Sequence, residues 1–390
     1  MNKSVFVSGT LALGVLLTAC GDQSSNNQFA GNNASNLTSS GTEASASPAD
    51  TAQAEGTSYK KIETIELNGH ISRNALDLDR SGDILLWGEQ DSKLDNMKRL
   101  NYWNGGKHEL LDLDAESIGF AFLTQSGLVV FSESDWDKPV TERHAIIEFD
   151  PVSKESTAFV MNDERDNILT PLGTNYTEDP RTYIGINEYQ RETVQPFIWN
   201  LDTNTIQDIE LTEAIREQTA ERLTIYPHYA LTSDQSQLVA VVANVGILVT
   251  DLASNQSEWV YTSDNISANN ELAHDRVITA DDRYVLYTVY DDDQSTTQFA
   301  FDLERKQAIE IGKGKTTFTL EDGPVVLITD QDEFVHVDLG TEEKTTLLTP
   351  ALQEQESVVY FTVSRDGSTL VYVTRDKEQL SKLHIFKKEA

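Results

Sequence analysis

The sequence predicts an all-β body, a seven-bladed β-propeller over residues 58–390 preceded by a disordered linker, and three observations carry that expectation. From Tyr59 onward, short alternating or wholly apolar runs are separated by Asp, Gly, Asn and Ser, the pattern of strands and turns. A polar turn leading into a strongly β-forming run recurs at intervals of roughly 40 to 55 residues, the blade period of a propeller. A second signature, an apolar residue followed directly by Asp or Asn, falls between the members of the first.

The first signature runs through the chain in order. Ser81-Gly82-Asp83 precedes Ile84 to Trp87, Gln125-Ser126-Gly127 precedes Leu128 to Phe131, and Asp179-Pro180-Arg181 precedes Thr182 to Ile184. Ser233-Asp234-Gln235 precedes Leu238 to Val241, Asp281-Asp282 precedes Tyr284 to Tyr287, Glu321-Asp322-Gly323 precedes Val325 to Leu327, and Arg365-Asp366-Gly367 precedes Leu370 to Tyr372. The second appears as Phe149-Asp150, Phe301-Asp302 and Val337-Asp338, as Thr250-Asp251 following Val249, and with Trp103-Asn104 and Trp199-Asn200 as variants. A carboxylate or amide there can accept backbone N–H groups of the turn that follows. Leu211 to Leu223 is the best helical candidate, and the acidic, irregular stretch from Asp163 to Tyr189 allows six blades with an insertion as the alternative. A β-sandwich or a pair of smaller all-β domains is a further alternative.

The final repeat supplies only three strands before the chain ends. Its fourth is expected from Ile62 to Leu67, which would lie antiparallel to Leu383 to Phe386 and close the ring without an unpartnered edge. Ser364-Arg365-Asp366-Gly367-Ser368-Thr369-Leu370-Val371-Tyr372 resembles the blade segment of bacterial TolB-like and WD40-like propellers. That resemblance implies the architecture. Members of the superfamily are scaffolds, ligand binders, peptidase accessory domains or enzymes, so it leaves the activity open.

Ahead of the body lie Lys3 and an apolar run from Val5 to Leu17, the length of a signal-peptide core and too short for the ~20 residues of a membrane span. Leu17-Thr18-Ala19-Cys20-Gly21 resembles the bacterial lipobox. The resemblance implies a signal peptide over 1–19, acylation of Cys20 (palmitate among the acyl chains), and an anchor on the extracytoplasmic side of the cell membrane. Two acyl chains hold where one binds only marginally. Residues 20–57 are mostly Asn, Ser, Gly, Ala, Thr and Gln and cannot bury enough surface to offset their ordering entropy.

Cys20 is the single cysteine, which excludes an intrachain disulfide, a thiolate metal cluster and any cysteine nucleophile in the body. The net charge of −34 opposes nucleic acid and anionic membrane surfaces. It fits either solubility in a salty or alkaline exterior or the binding of cations or a basic partner.

Local chemistry motifs are sparse. There is no G-x-S-x-G elbow. His108-Glu109-Leu110-Leu111-Asp112 lacks the second histidine of a zinc-protease helix and lies in strand-like sequence. Gly312-Lys313-Gly314-Lys315-Thr316 is too compact for a phosphate loop and is expected to be a turn between blades. His336 is expected in a core or interblade setting. Asp291-Asp292-Asp293 is the candidate cation cluster, because hard cations want convergent oxygens, against a solvated hairpin loop. Trp87, Trp103, Trp199 and Trp259 sit in strands and are expected between sheets, whereas Trp136, in a polar loop, is the candidate for partner contact. No cofactor is expected. Together these features suggest an extracytoplasmic, membrane-anchored binding or scaffold lipoprotein whose partner is an envelope protein, peptide or glycan. The alternative is a propeller enzyme of the envelope acting on glycan or peptide, its acid and base drawn from different blades.

Overall fold

The computed structural model describes residues 58–67, 69–90, 97, 99–111, 113, 118–135, 137–161, 168–169, 176–178, 181–187, 195–210, 228–267, 277–291, 295–377 and 381–389. Seven antiparallel sheets follow one another around a ring. From the axis outward, blade one is His70–Leu78, Ile84–Gln90, Arg99–Asn104 and Lys107–Leu110. Blade two is Ile118–Leu123, Val129–Ser134, His144–Phe149 and Ser156–Val160. Blade three is Arg181–Asn187, Gln195–Asn200 and Thr205–Asp208, with its innermost position shared by Ile168–Leu169 and Tyr176–Glu178. Blade four is His228–Leu231, Gln237–Val242, Gly246–Asp251 and Gln256–Thr262, and blade five is Ile266–Ser267, Tyr284–Tyr290, Thr296–Asp302 and Gln307–Lys313. Blade six is Thr316–Thr319, Val325–Ile328, Phe334–Val337 and Lys344–Leu348. Blade seven is Ser357–Val363, Thr369–Arg375 and Ser381–Lys388, completed by Tyr59–Glu66.

Both blade-three pieces pair with the same strand, so the irregular stretch interrupts an inner strand and the count is seven, not six. The helical candidate at 211–223 lies outside the described residues.

The two turn signatures work by side-chain capture of backbone N–H groups. In blade four, Thr232 Oγ1 accepts the N–H of Gln237 at 3.1 Å and donates to Asp234 at 2.7 Å, while Asp234 accepts the N–H of Ser236 at 2.9 Å. Ser364, Asp366, Ser368 and Thr369 repeat this in blade seven, as do Thr279, Asp281, Arg283 and Tyr284 in blade five. One residue of each described turn takes a left-handed φ: Gly82, Gly127, Gly323 and Gly367, but Gln235 (φ 56°) and Asp282 (φ 58°) in blades four and five. The missing glycine in those repeats is thus absorbed as local strain rather than by a different turn. In the second signature, Asp338 accepts the N–H groups of Gly340 and Thr341 at 2.8 and 2.9 Å, and Asp251 that of Ser254 at 2.7 Å.

Apolar side chains fill the wedges between neighbouring sheets rather than a single centre. Leu85, Trp87 and Trp103 of blade one pack on Val371, Val373, Leu383 and Ile385 of blade seven. Trp199 is buried in the cluster shared by blades two and three. Trp259 is half-buried beside Ile184, Ile209 and Leu248.

The ring closes where the sequence places it. Tyr59–Glu66 pairs antiparallel with Ser381–Lys388 in the register Lys61 to Phe386, Glu63 to Ile385, Thr64 to His384 and Ile65 to Leu383. The register slips at Ile62, whose side chain is left 45% exposed. Beyond the ladder, Tyr59 is buried among Phe318, Leu370 and Phe386 and donates its hydroxyl to the Gly367 carbonyl, and burial together with Asp366 pushes its pKa up to about 12. At the other side of the strand, Glu63 accepts the Trp103 indole N–H at 2.7 Å, so the first strand grips blade one as well as blade seven.

Tyr59→Phe removes one buried hydrogen bond and is expected to cost about 1 kcal/mol in urea unfolding. Tyr59→Ala also empties the pocket and is expected to cost about 3 kcal/mol or more. A Tyr59→Ala loss below about 0.5 kcal/mol, the usual range for surface changes, would show that the closing strand is not anchored there.

Candidate functional site

Strand alternation gives the ring two unlike faces. One carries the turns from first to second strand and from third to fourth, mostly short, as at 105–106, 150–155 and 338–343, with 268–283 of blade five the long exception. The other carries the second-to-third and blade-to-blade connections, which reach 209–227 between Asp208 and His228. The chain enters the body on the short-turn face, beside its own end: Tyr59 pairs with Lys388, and the Glu389 N–H donates to the Ser58 carbonyl at 2.7 Å.

The short turns also bond to one another. The Glu321 N–H of blade six donates to Arg365 O of blade seven at 2.9 Å, and the Ser368 hydroxyl reaches Ser81 O of blade one, also at 2.9 Å. Arg80 forks onto the Glu321 carboxylate, past the intervening blade, with Nε to Oε2 at 2.7 Å. Between blades four and five the Ser233 N–H donates to Asp282 at 2.8 Å. Exposed ion pairs of this kind contribute roughly 0–1 kcal/mol each, so the backbone bonds and wedge packing set the geometry.

Between the outer halves of blades four and five this face holds a cavity of about 510 Å³. Register builds it. Gln237, Asp251 and Gln256 are cross-strand partners on three adjacent strands, and Val249 pairs with Glu258 two residues further along. Because side chains of one row share a sheet face, both rows point toward blade five. Leu303 and Lys306, from the third-to-fourth turn of blade five, form the opposite wall. Higher in the same wedge, Tyr261, Tyr287, Phe299 and Phe301 fill the gap with ring centroids 5.3–5.4 Å apart. Lower down the side chains are smaller or polar, and the diverging sheets leave space. Asp251 is held by Ser254 and Ser257 by Thr250. The side chains of Gln237, Gln256, Glu258 and Lys306 have no hydrogen-bond partner among the described residues.

Other candidate residues are placed as follows. Cys20, Trp136, Asp292 and Asp293 lie outside the described residues. The Asp291 carboxylate accepts the hydroxyls of Ser295 at 2.9 Å and Thr297 at 3.0 Å, within its own hairpin. His108 is on a strand, its ring 4.9 Å from that of Trp87 and its Nε2 3.0 Å from Asn101 Oδ1. Gly312 to Thr316 joins blade five to blade six, and a Cβ at Gly314 would stand 2.4 Å from the Ile328 carbonyl oxygen, which is why a glycine is there. His336 is half-buried in blade six, and burial lowers its pKa. Among the described residues no group of three or more His, Cys, Asp or Glu is placed to hold a metal ion, and no helix is long and apolar enough to cross a membrane. The cavity residues escape a reading by motif because Gln256 and Glu258 look like ordinary exposed strand positions until the register is known.

No known family matches the sequence, and no curated protein matches it. Solved structures do match in fold. An oligogalacturonate lyase from Vibrio parahaemolyticus is 10% identical with a TM-score of 0.58, over 84% of this chain and 97% of that one. An oligogalacturonate lyase in complex with manganese is 10% identical with a TM-score of 0.54, over 84% and 98%. The β-propeller domain of the Trilobed protease from Pyrococcus furiosus, described as having an open velcro topology, is 14% identical with a TM-score of 0.53, over 82% and 93%. At these identities the likeness shows a shared propeller fold.

The turn carboxylates set an acid limit on stability. N–H donors hold Asp150, Asp234, Asp251 and Asp338 below their ordinary value of 3.8, from Val152, Ser236, Ser254 and Thr341 respectively. Their folded pKa values being depressed, this stabilisation is present above that ordinary value and is lost as pH falls through the lowered ones. Asp234→Ala is therefore expected to melt below wild type at neutral pH, with the gap narrowing in melting curves taken as pH falls below the ordinary carboxylate value of 3.8. A gap that does not narrow in acid would contradict the assignment.

Proposed function

We propose that this chain is an extracytoplasmic binding or scaffold lipoprotein, lipid-anchored through Cys20, with residues 20–57 as a tether and the propeller as a rigid presentation surface. The observation that carries the reading is the entry of the chain at Ser58 on the short-turn face. A flexible tether of that composition attaches there and leaves the opposite face, with its longer connections, free for an envelope protein, peptide or glycan. The strongly negative charge keeps the body off anionic headgroups, which suits a surface held at a distance by the tether rather than one lying on the lipid. The fold of the oligogalacturonate lyases supports a second, glycan-acting reading. Turnover of a glycan panel by the purified chain would put that reading in place of the first.

Fractionation of cells tests the anchor. Wild type is expected in the membrane pellet carrying labelled palmitate, and Cys20→Ser in the soluble extracytoplasmic fraction, unlabelled and with an unchanged circular-dichroism spectrum. Cys20→Ser recovered from the pellet in wild-type amounts would overturn the proposal.

A further inference from the structure

We infer that the cavity between blades four and five is a binding site for a small neutral saccharide, a ligand class that deepens the binding-protein reading and rests on it. Its volume of about 510 Å³ lies within the usual range for small-molecule sites. The free groups decide the chemistry. Gln237 and Gln256 carry amides that both donate and accept, Glu258 accepts and Lys306 donates, and none of the four is consumed by an internal bond among the described residues. Vicinal hydroxyls want such a mixed set, because each hydroxyl is itself a donor and an acceptor.

Val249, Val260 and Leu303 supply an apolar patch against which the C–H face of a sugar ring can rest. A hydrocarbon ligand would cover the polar rim without pairing it, and taking those groups out of water unpaired costs free energy. An anionic ligand, a uronate or a phosphate, would meet Glu258 and Asp251 with only Lys306 to answer them, inside a field set by a net charge of −34. An uncharged polyol of one or two rings is what remains. One wall is sheet: the backbones of Gln237, Val249, Gln256 and Glu258 are fixed by ladder hydrogen bonds, and the opposite wall is the blade-five turn that carries Leu303 and Lys306.

Ligand-observed NMR on the full chain purified in detergent tests the inference, with cellobiose, maltose and galactobiose as probes and digalacturonate as the charged control. Probes go up to roughly 10 mM, enough to occupy a site with a Kd of roughly 1 mM. At least one neutral disaccharide is expected to give saturation transfer, with digalacturonate giving none. Gln256→Ala and Glu258→Ala are each expected to weaken binding about tenfold, as the loss of a hydrogen-bonding group to ligand should. Gln256→Trp, which fills the cavity from an exposed strand position, is expected to abolish it. Melting curves confirm that each variant is folded before its binding is read. No transfer to wild type from any neutral probe, equal binding by Gln256→Trp, or equal binding of digalacturonate would each overturn the site. Those results would leave the membrane fractionation of Cys20→Ser unaffected, so failure of the sugar site and failure of the anchored reading are separable.

Discussion

The antiparallel pairing of Tyr59–Glu66 with Ser381–Lys388 is the interaction on which the rest of the molecule depends. Every wedge in the ring is packed between two sheets, so each sheet needs both neighbours in place. Without the first strand, blade seven would present the edge of Ser381–Lys388 to water, and blade one would lose the carboxylate that accepts the Trp103 indole N–H. An open sheet edge is also a template for pairing with other chains. The closing segment therefore does three things at once: it completes a sheet, seats Tyr59 between blades six and seven and Leu67 between blades seven and one, and joins the two ends of the chain. The long sequence separation makes this contact late and entropically costly to form, which is the usual consequence of non-local β topology.

The second constraint is chemical and repeats around the ring. Short turns must satisfy their own N–H groups on a surface where several of them converge. Ser, Thr and Asp do this from within the turn, which frees adjacent turns to bond to each other instead of to water. Part of the acidity of the chain is thereby structural. Asp234, Asp251, Asp338 and Asp366 are turn carboxylates held below their ordinary pKa, by backbone N–H groups for the first three and, against the opposing effect of burial, by the Ser364 hydroxyl and the Ser368 N–H for Asp366. Arg283 serves Asp302 in the same way, its guanidinium outweighing the burial of a carboxylate that has no exposure.

What could be read from the sequence follows from how local each signal is. The turn signatures are local, because a Thr or Asp and the N–H it captures lie within five positions of each other, and they revealed the blade period. The closure was legible because blade seven lacks a strand and Ile62 to Leu67 is of the kind it lacks. The bulge at Ile62 was not, since a slip in register depends on how Tyr59 seats in the wedge behind it. Blade three left its count open because its inner strand is divided, so no continuous run marks it. The Arg80–Glu321 pair and the cavity beside Glu258 are products of ring geometry, in which residues hundreds of positions apart, or on two diverging sheets, come together only once the sheets are placed.

Ring closure as the central constraint is tested most directly by comparing the thermal unfolding of chains begun at Ser58 and at Gly69. The chain begun at Ser58 keeps the closing strand and is predicted to melt cooperatively within about 2 °C of one that retains residues 20–57, whose composition offers few apolar side chains to bury. The chain begun at Gly69 is predicted to melt lower by about 10 °C or more, or to lose its single transition, as blades seven and one open together. Equal melting temperatures for the two chains would contradict the account.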